Sequence, residues 1–433
     1  MIKLSAIGLL AFIIAYPLTA FSQAESYDLK ALLEMVVRRN ADIRVQAAET
    51  SIAGKQKWQA VTRWLPRLGA DASYMRTSTL NGAPSFVAAN AAIEKYGVLG
   101  VQQMIFDVPA WLALREGTIS KRRQKYVFSG TRQQVLFDVI QSYFNTLKAK
   151  GQITAYQENL KAFQLIYRQS QILYQNGVVA EIDVKKSLAE LLLQKNSLLM
   201  ARRDHQTALD QLKVLVNMPV SEELEITEFP LQVIHLDSSD RYIEMALQDN
   251  PDLQVQQTEQ AIYSARKTGS LLQHLPSANA SFYYGWDTAD RIGWENRGWQ
   301  AIVNVSLPLW HWGSLFTDRQ IADLRYRQSV TLTGQLRKQI VRQVIATYRE
   351  CRIQQQQRKA MEQSRDQAQQ ALDMARIGYR EGTITNLDLV NTQKLLTETN
   401  INYSNALYDF YIAKARLYQI MGKLKENFEW IEN

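Results

Sequence analysis

Two long stretches of the chain carry a column of positions that recurs every seven residues. The first column runs Val184, Leu191, Leu198, His205, Leu212, and the second Leu389, Leu396, Tyr403, Phe410, Leu417. A companion column three residues later is small or apolar in the second stretch: Thr392, Thr399, Ala406, Ala413, Ile420. Such seams predict helices packed side by side over many turns. The two stretches are copies at an offset of 205 residues, which also matches Gly177 to Gly382 and Asp183 to Asp388. A glycine just ahead of each seam can end the preceding helix in a left-handed cap, so each marks the tip of a helical hairpin.

The pattern extends outward from the tips. Pro109 to Tyr174 reads as one long helix, and Ser314 to Tyr379 as its counterpart at the same offset. At about 1.5 Å per residue each would run roughly 100 Å. Leu29 to Leu65 is helical in spacing, and at an offset of 210 Asn40 matches Asn250 and Leu65-Pro66 matches Leu275-Pro276. Each proline ends a helix and opens an extended segment.

The extended segments alternate. Ala278, Ala280, Phe282, Tyr284 and Trp286 share one parity, and Trp299, Ala301, Val303, Val305, Leu307 and Leu309 share the other return face. Runs of this length suit tilted strands crossing a bilayer. Trp286 and Trp299 gather at one end, Trp310 and Trp312 at the other, the pattern of an aromatic girdle in outer-membrane lipid. The first copy alternates over Leu68, Ala70, Ala72 and Tyr74, but its return segment holds both Val98 and Leu99 and shows no clear face. A hairpin of a soluble sandwich would alternate in the same way.

The expected organisation is an α+β membrane protein built from two structural repeats. Residues 25–218 form the first repeat, with strands at about 66–76 and 96–107 and a hairpin over 109–218. A linker follows at 219–239. The second repeat spans 240–424, with strands at about 276–287 and 298–310 and a hairpin over 314–423, and 425–433 is a tail. The offset falls by five across the strand pair, which places five extra residues in the loop Thr77 to Lys95. Ahead of all this, Lys3, the apolar stretch Ile7 to Leu18 and Ser22-Gln23-Ala24 read as a secretory signal peptide over 1–24.

Four strands per chain would leave open edges in lipid, which is prohibitive. Closure needs further chains: two give eight strands, whose interior side chains nearly fill the barrel, and three give twelve.

Composition narrows the function classes. The net charge of +8 is dispersed rather than gathered in a basic arm, and an exported chain seldom binds nucleic acid. A single Cys, Cys351, allows no internal disulfide framework and reads as a packing residue. His205, His235, His274 and His311 are scattered without a second ligand at metal spacing, and no GxxxxGK[ST] loop occurs. No enzyme, metal or cofactor is expected.

The tips Gly177-Val178-Val179-Ala180-Glu181-Ile182-Asp183 and Gly382-Thr383-Ile384-Thr385-Asn386-Leu387-Asp388, with the paired strands and Leu65-Pro66, resemble the TolC-like outer-membrane efflux family over almost the whole mature chain. The resemblance implies a homotrimer in the outer membrane of a Gram-negative bacterium. It implies a 12-stranded barrel continued into the periplasm by an α-helical barrel. It also implies a periplasmic adaptor (membrane fusion) protein and an inner-membrane pump as partners, and export of drugs, toxic compounds or proteins.

Site candidates follow. If the second hairpin faces inward, Asp388 and Asn391 lie one turn apart and become rings at the channel entrance, where carboxylates favour cations. The resemblance matches Asp388 to an acidic entrance position, and Asn391 to one where some members carry a second acid. Alternatively Asp388 serves only its helix N-terminus. Asp183 and Tyr379 flank opposite tips and are candidates for contacts that hold the closed state, or are two unrelated exposed groups. The adaptor is expected at the tips, near Gly177, Val178, Gly382 and Thr383, where each glycine is equally a cap. A soluble periplasmic coiled-coil adaptor or scaffold is the alternative reading of the same helical pattern.

Overall fold

The structure is a computed structural model and describes residues 26–81, 83–84, 93–230, 236–287, 297–309 and 312–425. The expected signal peptide, Trp310, His235, His311 and the tail beyond Lys425 lie outside the described residues.

Among the described residues, eight helices and eight strands follow one plan twice, with the short β3 and β4 present in the first copy alone. The first copy holds β1 (Ser26–Tyr27), α1 (Leu29–Arg39), α2 (Ala41–Thr62), β2 (Arg67–Arg76), β3 (Thr79–Leu80), β4 (Ala83–Pro84), β5 (Ile93–Phe106), α3 (Val108–Gln175) and α4 (Glu181–Leu215). After β6 (Glu225–Ile226) come α5 (Ser239–Asp249), α6 (Pro251–Leu272), β7 (Ser277–Asp287), β8 (Arg297–Ser306), α7 (Ser314–Arg380) and α8 (Asn386–Ile420). None of the described helices is long and apolar enough to cross a membrane.

The segment 29–65 is two helices, not one. Asn40 breaks it by N-capping α2, its side chain accepting from the amides of Asp42 and Ile43. Asn250 repeats the device, accepting from Leu253 N–H at the head of α6. Each asparagine also reaches a return helix. Asn40 donates to the Leu215 carbonyl at 3.2 Å, and Asn250 to the Ile420 carbonyl at 2.7 Å. Leu215 and Ile420 are the last residues of α4 and α8, so one amide satisfies a carbonyl the helix itself cannot.

Four strands form one antiparallel sheet in the order β2-β5-β7-β8. The register settles its faces. Leu68 pairs with Val101, Ala70 with Leu99, Leu99 with Tyr284, Val101 with Phe282, and Phe282 with Ala301. These residues continue one apolar face across all four strands. Val98 falls on the other face, opposite Asp71 and Gly285, so the adjacent Val98 and Leu99 belong to different sides. Glycine makes the β5–β7 join close: a Cβ at Gly97 would meet the Trp286 indole at 2.7 Å, and one at Gly100 the Tyr283 ring at 2.9 Å. β8 ends at Ser306 rather than near Trp310, because Pro308 has no amide to continue a ladder.

The helices stand in the same order as the strands: α2 packs on α3, α3 on α6, and α6 on α7. The main core lies where the return helices end. It joins Leu32, Leu33 and Val36 of α1 with Val139, Tyr143 and Phe144 of α3, Tyr242 of α5, Cys351 of α7 and Phe410, Tyr411 and Leu417 of α8. Burial pushes the Cys351 thiol up to about 12, which leaves it inert. Residues 224–229, between the copies, are packed into this core. Leu224, Ile226 and Phe229 are buried, β6 pairs in parallel with β1, and the Tyr143 hydroxyl donates to the Thr227 carbonyl at 2.7 Å. A second, smaller core lies far down the hairpins: Phe163 and Ile166 of α3, Ala368, Leu372 and Ala375 of α7, and Leu389, Val390 and Leu396 of α8.

Candidate functional site

The candidate site is the pair of hairpin tips. Both are closed by the same backbone device. Gly177, at φ 72°, sends its amide to the Tyr174 carbonyl, and Val178 sends its own to Leu173. Gly382, at φ 76°, does so to Tyr379, and Thr383 to Gly378. The paired bonds and the positive φ make each a Schellman cap, which favours glycine. Val178 is exposed, and the Thr383 hydroxyl donates back to the Gly378 carbonyl at 3.0 Å. The glycines therefore serve as caps, and their exposed surroundings leave the docking expectation untouched.

The tips differ in how the return helix starts. α4 begins after Ala180 with no side-chain cap. α8 begins with a reciprocal capping box: the Asp388 amide donates to Thr385 Oγ1, and Asp388 Oδ2 accepts from the Thr385 amide at 3.1 Å and its hydroxyl at 2.6 Å. Those donors hold the Asp388 carboxyl below the usual carboxylate range. Asp388 and Asn391 are both exposed, one turn apart on the first turns of α8. The capping role of Asp388 and its exposed charge coexist.

A buried polar cluster lies between the tips. The Tyr379 hydroxyl faces Ser170 of α3. Ser170 Oγ lies 2.9 Å from Ser187 Oγ of α4, Ser187 donates to the Asp183 carbonyl at 2.8 Å, and Asn386 of α8 donates to Ser187 at 3.2 Å. Tyr379 and Asn386 belong to the second hairpin, Ser170, Ser187 and Asp183 to the first. The cluster thus joins the two hairpins. Burial, with the Asp183 charge adding to it, raises the Tyr379 hydroxyl above its ordinary value. Asp183 and Tyr379 share one neighbourhood, but the group that the Tyr379 hydroxyl faces is Ser170. One turn along, Lys394 of α8 meets Glu190 of α4 at 2.8 Å.

Ser170, Ser187 and Asn386 escaped the reading of the sequence. A signal existed for one: Ser187 and Gln194 occupy the first-copy equivalents of the small column Thr392 and Thr399, and both are buried. A polar residue on a seam asks for a buried partner. Gln194 finds Asn159 at 2.7 Å.

At the far end of the molecule, Trp286 lies over Gly97 and Trp299 stacks on Phe282 with centroids 6.1 Å apart. Trp312 is almost fully exposed just beyond β8. Among the described residues no group of acidic, histidine or cysteine side chains could hold a metal.

Comparison with known proteins agrees with this layout. The family model described as outer membrane efflux protein matches residues 32–218 and 242–423. The chain is 22% identical over 433 residues to the outer membrane protein TolC of Escherichia coli, covering 96% of this chain and 87% of that protein. It is 23% identical over 339 residues to the alkaline protease secretion protein AprF of Pseudomonas aeruginosa, covering 76% of this chain and 69% of that one. The Campylobacter jejuni CmeC outer membrane channel has the same fold, with a TM-score of 0.79 at 17% identity over 94% of this chain and 88% of that one. The chain belongs to the outer membrane efflux protein family, a family of non-enzymatic outer-membrane channels that extend into the periplasm.

Proposed function

We propose that three copies of this chain form a channel-tunnel that exports substrates across the periplasm and outer membrane, served by an inner-membrane pump and a periplasmic adaptor. The observation that carries it is the open four-stranded sheet. Its apolar face is continuous, yet β2 and β8 are free edges among the described residues of one chain. Unpaired backbone in hydrocarbon costs several kcal/mol per group. Pairing β8 of one copy with β2 of the next removes every edge, and three copies of four strands reach twelve. The helices, standing in the same order, would continue that ring into the periplasm.

The tips form the periplasmic entrance. Rings of Asp388 and Asn391 face the lumen there and favour cations. The hydrogen bond from Asn386 to Ser187 and the approach of Tyr379 to Ser170 hold the entrance closed, with Asp183 beside them. These contacts are few, and Asn386 Oδ1 is buried without a partner among the described residues. That orphan acceptor weakens the closed state by about 1–3 kcal/mol. An adaptor docking near Gly177, Val178, Gly382 and Thr383 would therefore need only modest binding energy to part the hairpins. The aromatic residues Trp286, Trp299 and Trp312 anchor the barrel at the two lipid interfaces.

The test is the mass of the purified particle, corrected for bound detergent. A mass of three chains is expected. A stable monomer would overturn the reading, because a four-stranded sheet cannot close on itself.

A further inference from the structure

Where α6 runs into β7 and β8 runs into α7, the two helices leave a groove of about 730 Å³. Its walls are Lys267 and Leu271 of α6 and Phe316, Arg319, Asp323 and Arg327 of α7. Three cations face one carboxylate. Asp323 is already engaged, by Lys267 at 2.6 Å and Arg327 at 2.8 Å. Arg319 has no carboxylate within ion-pair distance among the described residues. The apolar part is open: Leu271 is 42% and Phe316 63% exposed.

The position gives this chemistry a use. α6 ends at Leu272, five residues before β7, and α7 starts at Ser314, eight residues after β8. Arg319 sits about 8 Å along the helix from Ser314, comparable with a headgroup layer of roughly 5–8 Å. Long cationic side chains at this depth lay their stems on apolar surface and hold their heads in the polar layer.

We propose that this groove binds the phosphodiester headgroup of an anionic phospholipid from the periplasmic leaflet. Arg319 takes the phosphate beside the Lys267–Asp323–Arg327 cluster, whose net charge is positive, and Phe316 and Leu271 meet the upper acyl chain. The charge balance selects the class. A zwitterionic headgroup would place its ammonium among cations, since the one carboxylate in the groove is taken. The site rests on the reading that the sheet crosses the bilayer.

The experiment is native mass spectrometry of the detergent-purified full chain, with phosphatidylglycerol or phosphatidylcholine added. At least fivefold preferential retention of phosphatidylglycerol is expected. Arg319→Glu should abolish the preference, and Phe316→Ala should lower retention without changing the selectivity. Arg352→Glu, the same charge change on an exposed position of α7, should leave both untouched. Equal retention of the two lipids, or equal loss with Arg352→Glu, would overturn the site. A lower particle mass for Arg319→Glu would assign the groove to a contact between copies and also overturn it. Extraction of the unmodified protein without detergent is a separate readout, and would count against the membrane-spanning sheet itself.

Discussion

Asn250 and Ile420, 170 residues apart, are joined by a 2.7 Å hydrogen bond from side-chain amide to backbone carbonyl. The same asparagine caps α6. Asn250→Ala removes a cap, worth about 1 kcal/mol, and orphans a buried carbonyl, worth about 1–3 kcal/mol. A loss of about 2–4 kcal/mol is expected in thermal or denaturant unfolding followed by helical signal. Asn250→Asp keeps the cap and loses the donor, so it should fall between. Exposed Asn391→Ala should leave stability unchanged.

The glycine caps should differ in cost. Gly177 at φ 72° has open space where a Cβ would stand, whereas a Cβ at Gly422, at φ 71°, would meet the Asp249 carbonyl at 2.7 Å. Gly177→Ala should cost only the left-handed conformation, about 1–2 kcal/mol. Gly422→Ala should cost at least twice that. Equal costs would mean that the backbone around Asp249 yields easily.

Tyr379→Phe deletes the hydroxyl that reaches Ser170, and Ser187→Ala removes the centre of the cluster. Each should raise single-channel conductance in planar bilayers. The double substitution should add little beyond the larger single effect, because both act on one network. Full additivity would separate Tyr379 from the cluster.

The carboxyl of Asp388 lies below its ordinary 3.8 because Thr385 donates to it. Its folded-state value is depressed, so the favourable interaction is present above 3.8 and lost as pH falls through the lower folded value. Cation selectivity should therefore persist as pH drops through the ordinary carboxylate range. Thr385→Val removes the hydroxyl and should move the loss of selectivity upward in pH. Asp388→Ala should remove most of the selectivity at neutral pH; unchanged ion selectivity would take Asp388 out of the entrance.

Lys414 is fully buried in α8, and burial lowers its ammonium to about 8 from 10.5. The unfolded chain holds this proton more tightly, so the penalty is fully present below pH 8 and fades as pH rises toward 10.5. Lys414→Met should stabilise the protein at pH 7 by an amount on the order of 1–3 kcal/mol. That gain should shrink between pH 8 and pH 10 in thermal melts.

The local devices were legible in the sequence. Gly177 and Gly382 announced their caps, the seven-residue columns announced the return helices, and the alternation over 278–286 announced a strand with one apolar face. What escaped depends on partners distant in sequence. The faces of β5 are decided by Trp286 over Gly97 and Tyr283 over Gly100, and Ser170 gains its meaning from Tyr379 more than two hundred residues on. The split at Asn40 showed only through its match to Asn250, where Pro251 can start a new helix, because its own spacing continues a helix while its side chain answers to Leu215. The segment 224–229 looked like a connector because it is short, yet its apolar residues fill the core beside Tyr143.

The join of β5 to β7 is where one copy of the plan meets the next inside a single chain. A chain with only one copy could offer the same two flanks, but every one of its tips would be identical. Fusion removes that constraint. One tip opens α4 with a bare Ala180 while the other opens α8 with the Thr385–Asp388 box. Joining the copies end to end lets one tip take a reciprocal side-chain lock at its helix start while its twin does without.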